Sequence, residues 1–163
     1  MALRPILPFA HPLLRQRATR VRRFDSALRA LVADMFETLR AADGAGLAGP
    51  QVGQALRVFV AAYEGQRLAL VNPEIVAREG EERGPEACLS LPGYVGEDIP
   101  RAARIVVRGQ DVRGKSLRLS ADGWYARILQ HEIDHLDGIL FTDHLDRPGA
   151  LRAVQAADRP AVG

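Results

Sequence analysis

The sequence predicts an α+β fold in which mostly antiparallel strands pack around a central helix. Over residues 25 to 41, Leu28, Leu31, Val32, Met35 and Leu39 recur at helical spacing and form one apolar stripe. Short strand-like runs rich in Val, Ile, Leu and Tyr follow it. A second helical stretch, residues 122 to 137, then carries two histidines one turn apart on the same face. A helix packed against a set of antiparallel strands is the layer pattern these signals imply.

Taken in order, residues 1 to 23 read as irregular, because Pro5, Pro8 and Pro12 interrupt any regular hydrogen-bonding pattern. The helix over 25–41 comes next. Gly44 ends it and opens a loop. Strands are expected at 56–63, 67–71, 74–78, 105–112 and 116–119, with Gly114-Lys115 as a hairpin turn before the last. In the second helix Asp122 is the expected N-cap and Gly138 the stop, while Trp124, Ile128, Leu129, Ile133 and Leu136 supply apolar content beside the histidines. The tail from about residue 147 is rich in Pro, Gly and Ala and is expected to be loose. No repeat or linker interrupts the chain, so residues 1–163 are expected to form one domain with a sizeable core.

Composition narrows the function classes. Hydrophobic residues make up 47% and charged residues 26%, which is ordinary for a globular protein. No apolar run approaches the roughly 20 residues that a membrane span needs. The lone cysteine, Cys88, argues against a disulfide-built fold and fits a reducing cytoplasm. Lys115 is the one lysine among 22 basic residues. Arg15, Arg17, Arg20, Arg22 and Arg23 cluster ahead of Asp25, the first acidic residue. A solvated basic surface is the preferred reading; an electrostatic patch for ribosomal RNA and a transit peptide are the alternatives. The arginines lack interleaved aromatics, so sequence-specific reading of nucleic acid is not expected.

The segment Gln130-His131-Glu132-Ile133-Asp134-His135 carries the chemistry. Both imidazoles can reach one metal ion, and Glu132, beside the first of them, can take a proton from an attacking water. A catalytic centre of this kind needs a third protein ligand. A further histidine at the spacing of the longer H-E-x-x-H motif is excluded, because that position is Phe141. No glutamate follows Glu132, which removes the usual downstream carboxylate. Asp143, Asp146 and Asp158 stay open as carboxylate ligands, although 143 and 146 follow His135 closely; the other candidate is Cys88, in the context Glu86-Ala87-Cys88-Leu89-Ser90. It can be read as a buried apolar residue, as a nucleophile with His131 as its base, or as a thiolate ligand. The presence of the His-x-x-x-His pair in the same chain favours the ligand, and one thiolate with two imidazoles suits Zn²⁺ or Fe²⁺.

Three motifs follow one another along the chain: Gly44-Ala45-Gly46-Leu47-Ala48-Gly49-Pro50-Gln51, then Glu86-Ala87-Cys88-Leu89-Ser90, then Gln130 through Gly138. In this order they resemble those of the peptide deformylase family. The resemblance implies that Cys88, His131 and His135 are metal ligands and that Glu132 is the general base and acid. It implies that the Gln51 amide and the Leu89 N–H stabilise the oxyanion, and that Gly46 lies beside the substrate main chain. It implies one divalent ion, Fe²⁺ by preference with Ni²⁺, Co²⁺ or Zn²⁺ tolerated. It also implies release of formate from nascent peptides that begin with formyl-methionine. Ala45, Ala87, Trp124, Arg127 and Ile128 are candidates to line the substrate site, against the plainer reading of Trp124 and Ile128 as core and Arg127 as helix cover.

Two positions depart from the family pattern. Gly49 stands where alanine is usual and is expected to loosen the backbone beside Gln51. Ala87 stands where glycine is usual and would be strained if that position required positive φ. Two pairings are also expected: Glu86 with Arg101, and Asp134 with either a ligand histidine or an arginine. A small metallopeptidase and a non-catalytic protein that binds metal or nascent chains are the competing functions.

Overall fold

The computed structural model describes residues Met1–Gly163. Helix α1, Ser26–Ala41, starts where Asp25 accepts a hydrogen bond from the Leu28 N–H at 3.0 Å. Strand β1, Gly46–Ala48, follows, and then β2, Val58–Tyr63. The expected runs 67–71 and 74–78 are one strand, β3, Gln66–Glu79, with a register shift between Val71 and Glu74. Pro73 lies in that irregularity, where a missing N–H costs no ladder bond. Asn72 has φ 51° there, and its side chain holds the Val21 backbone through Val21 N–H to Oδ1 at 2.8 Å and Nδ2 to Val21 O at 3.0 Å.

Strands β4, Glu82–Glu86, and β5, Tyr94–Arg101, come next, then β6, Arg104–Gln110, and β7, Ser116–Asp122. Gly114 turns the β6–β7 hairpin at φ 87°. Helix α2 spans Gly123–Leu136 and gives way at Gly138, φ 75°. Asp122 occupies the N-cap position but makes no side-chain capping bond.

The tail is not loose. Strand β8, Leu151–Ala153, pairs with β5, and Val162 and Gly163 are buried.

One sheet has the order β1-β2-β3-β6-β7 and the other β4-β5-β8, and every pairing is antiparallel. Alternation along β2 shows how the layers assemble. Phe59 and Ala61 face a core shared with Ile128, Leu129, Ile133 and Leu136 of α2. Val58 and Val60 face a second core shared with Leu28, Leu31, Val32, Met35 and Leu39 of α1. The larger sheet therefore lies between the two helices, and β2 is apolar on both faces for that reason. A third cluster, Cys88, Ile99 and Phe141, forms beside the smaller sheet. No helix is long and apolar enough to cross a membrane.

Candidate active site

Helix α2 is buried along nearly its whole length, so its polar residues must find partners or serve chemistry. His131 and His135 project from one face, and their rings meet edge to face at 5.0 Å. Cys88, in the loop after β4, approaches from the other side. Its Sγ lies 3.4 Å from His135 Nε2. One ligand atom from each of Cys88, His131 and His135 falls within 4.8 Å of the others, and all three residues are buried. Two ligands of a tetrahedral ion with ordinary zinc–sulfur and zinc–nitrogen bonds stand about 3.6 Å apart.

The donor chemistry fits such an ion as well. His131 Nδ1 lies 2.8 Å from Glu86 Oε1 and donates its proton there, leaving Nε2 as the lone-pair nitrogen. That buried Nε2 has no hydrogen-bond partner.

Glu86 is the centre of a buried charge network. Arg101 donates to both its oxygens, at 2.7 and 2.8 Å. Arg127 donates to it at 2.8 Å, and also to the carbonyls of Ile99 and Glu82 at 3.0 and 2.9 Å. Burial pushes the Glu86 carboxyl up, but the hydrogen bonds and charges of Arg101 and His131 outweigh it and hold it well below the usual carboxylate range. Arg101 reaches on to Asp134 at 2.5 Å, and His144 meets the same carboxylate oxygen at 2.9 Å. Of the two partners expected for Asp134, the structure selects the arginine. Two guanidiniums thus face two carboxylates, and no charge in the network stands alone.

Glu132 differs in kind. It is fully buried, and neither of its oxygens has a hydrogen-bond partner. Burial pushes its carboxyl up to about 7, against the opposing charge of His131. Gly46 of β1 packs directly on it: a Cβ there would stand 2.4 Å from Glu132 Oε2. Glycine at 46 is a requirement of space.

Gln51 is held at both ends. Its Oε1 accepts from the Ala48 N–H at 2.9 Å, and its Nε2 donates to Ser90 Oγ at 3.1 Å and faces Cys88 Sγ at 3.5 Å. The Leu89 N–H donates to the carbonyl of Gly163 at 3.0 Å. Ala45 and Ile128 lie in the α2 core, and Trp124 packs against its edge. Arg127 does not cover a helix surface; its head group is in the Glu86 network, 5.7 Å from the Trp124 ring centre. Ala87 is fully buried and is not among the residues with positive φ, so alanine there carries no backbone strain. Gly49 departs from the family pattern for a reason of space: a Cβ would meet the Gln54 and Leu56 carbonyls at 2.8 Å.

Ser90 and Gln130 have no assigned role in the sequence reading, although both lie inside the motifs. Ser90 positions Gln51. Gln130 ties α2 to the segment between β5 and β6, accepting from the Ala102 N–H at 2.9 Å and donating to the Ala102 carbonyl at 3.0 Å. Phe141, the residue that breaks the longer histidine motif, stacks on His131 at 6.1 Å.

The sequence profile of the family described as polypeptide deformylase matches residues 3–150. A peptide deformylase of Thermomicrobium roseum is 44% identical over 94% of this chain and 92% of its own length. Among solved structures, the peptide deformylase of Thermus thermophilus superposes with a TM-score of 0.86 at 47% identity, covering 90% of this chain and 87% of that one. The peptide deformylase of Thermotoga maritima gives 0.88 at 39% identity, covering 90% of this chain and 100% of its own.

Proposed function

The chain belongs to the polypeptide deformylase family, metal-dependent hydrolases that remove the N-formyl group from peptides beginning with formyl-methionine, and on that premise we propose how its own residues perform the reaction. Cys88, His131 and His135 hold one divalent ion. The observation that carries this assignment is the buried, unpartnered Nε2 of His131 beside a buried thiol and a second imidazole. The bound ion supplies electrophilic polarisation of the formyl oxygen and lowers the pKa of water from about 15.7 toward 7.

The remaining work falls to the protein. Glu132 takes the proton of the attacking water and returns it to the leaving amide nitrogen. A carboxyl raised to about 7 by burial suits both halves of that cycle near neutral pH. The Leu89 N–H and the Gln51 amide face the oxygen on which charge develops, and one such donor contributes about 3 kcal/mol to the transition state. Glu86 fixes His131 by accepting its Nδ1 proton and is itself fixed by Arg101 and Arg127. Gly46 leaves room for Glu132 and for the substrate main chain. Ala45, Ala87, Trp124, Ile128 and the stem of Arg127 line the pocket for the methionine side chain.

The ion is Fe²⁺, with Ni²⁺, Co²⁺ and Zn²⁺ as substitutes that a thiolate and two imidazoles also suit. The protein works in the cytoplasm on nascent chains. Arg20, Arg22 and Arg23 are exposed and free of ion pairs, and they give it a basic face for transient, salt-sensitive contact with the ribosome.

The test is formate release from a formyl-methionyl tripeptide, with protein purified without oxygen and loaded with Fe²⁺ or Ni²⁺. Rapid turnover is expected, with about a 10³-fold or greater loss in Glu132→Gln at unchanged metal content. Full metal loading without turnover would leave the non-catalytic binding protein as the better reading.

A further inference from the structure

The segment Arg159–Gly163 returns to the active site and lies in it. Arg159 Nη2 donates to the carbonyls of Ala42 and Asp43 at 3.2 and 2.8 Å, which clips the segment to the end of α1. The Trp124 indole N–H donates to the Ala161 carbonyl at 3.0 Å. Val162 is 1% exposed. The Leu89 N–H donates to the Gly163 carbonyl at 3.0 Å.

Gly163 rests directly on the general base. A Cβ at that position would stand 1.8 Å from Glu132 Oε2 and 2.8 Å from the Gly46 carbonyl. Only glycine fits between them. The segment therefore uses a backbone carbonyl to satisfy Leu89, an apolar side chain buried beside it, and the contact surface of Glu132 and Gly46. These are the groups that a formylated peptide must also use.

We propose that residues 159–163 are an internal pseudo-ligand that occupies the peptide groove and must leave before substrate binds. The proposal rests on the deformylase reading of this groove. It makes the binding-competent fraction of the protein the fraction with the segment released, so the apparent KM is the intrinsic value divided by that fraction. Once substrate has displaced the segment the chemistry is unaffected, so kcat is independent of it. Apolar burial at Val162 and the two bonds of Arg159 hold the segment down, whereas none of its residues supplies a reacting group.

Trp124 is the only tryptophan, it is half-buried, and its indole donates to the Ala161 carbonyl, so its fluorescence reports docking without reference to turnover. The variants are Val162→Asp, Arg159→Ala and Gly163→Val in the full chain. Each is expected to shift Trp124 emission to longer wavelength and to raise its quenching by acrylamide. Each is also expected to lower KM for a formyl-methionyl tripeptide by about three- to tenfold at unchanged kcat. Unchanged emission and quenching in all three would overturn the docking, whatever the activity. Shifted emission with unchanged KM would overturn the competition. Shifted emission in a protein that turns over no formyl peptide, parent included, would uphold the docking and overturn the deformylase reading instead.

Discussion

Glu132 shows how one residue's surroundings set its chemistry. Its carboxyl is buried against Gly46 and Gly163 without a hydrogen-bond partner, and burial raises it to about 7. The cost is visible in stability. In metal-free protein the folded state keeps a proton that the unfolded chain releases, between the ordinary glutamate value and about 7. Stability from this group is therefore complete at low pH, falls across that window, and is flat above it. Glu132→Gln removes the titration. The difference in urea stability between variant and parent should grow in the variant's favour by about 3 kcal/mol from pH 4.5 to pH 8; a difference independent of pH would show that Glu132 titrates normally.

Gly46 makes the complementary case. Gly46→Ala drives a methyl against Glu132 Oε2, and a displaced base should lose about 100-fold in kcat while metal content stays unchanged. Metal analysis beside kinetics checks this. The proposed ligands, Glu132 and Gly46 are legible in the sequence because they sit in short contiguous motifs. The duties of Ser90 and Arg127 are not, because each is defined by a partner at least 39 positions away in the chain, Ser90 by Gln51 and Arg127 by Glu86.

At the scale of elements, the β4 edge and its following loop bring Cys88 to α2, and Glu86 at the end of β4 is what anchors them. The network is buried, so breaking it differs from breaking a surface pair. Arg101→Met leaves Glu86 and Asp134 short of their common cation and should cost about 3–5 kcal/mol in urea unfolding. Arg108→Ala, which breaks the exposed pair with Glu74, should cost no more than about 1 kcal/mol. Equal losses would mean that the Glu86 network is structurally idle.

The same strands show where periodicity stops being informative. Helix α1, helix α2 and the β6–β7 hairpin are readable because one buried face imposes a regular pattern. Strands β4 and β5, with the sequences Glu-Arg-Gly-Pro-Glu and Tyr-Val-Gly-Glu-Asp-Ile-Pro-Arg, are too polar and too interrupted by Gly and Pro to read as strands. Of their charges Glu86 and Arg101 are spent on the buried network while the rest face solvent, a division that no local pattern encodes. The split expectation for β3 fails for a related reason: Pro73 looks like a strand breaker, but the strand continues through an irregularity braced by Asn72.

Across the whole molecule, the site joins parts that the chain keeps apart. His131 and His135 belong to the helix that seals one face of the larger sheet, and Cys88 belongs to the loop beside the smaller one. An ion held by the proposed ligands would be a cross-link between the two halves of the fold, and its binding energy would add to folding stability because the unfolded chain offers no preformed site. With free ion at about 1,000 times its Kd, the linkage contributes about 4 kcal/mol. For a chain of this size that corresponds to a fall in Tm of about 8–16 °C when a chelator strips the metal. Cys88→Ser should abolish most of that response, because it removes the ligand that spans the junction, while leaving the helix and its histidines in place. Calorimetry on parent and variant, each with and without chelator, separates the possibilities. If the parent's Tm did not respond to the chelator, Cys88 and the α2 histidines would not share an ion. If parent and variant responded equally, the ion would be held by the helix alone, and the two halves would be joined by packing and the Glu86 network without it.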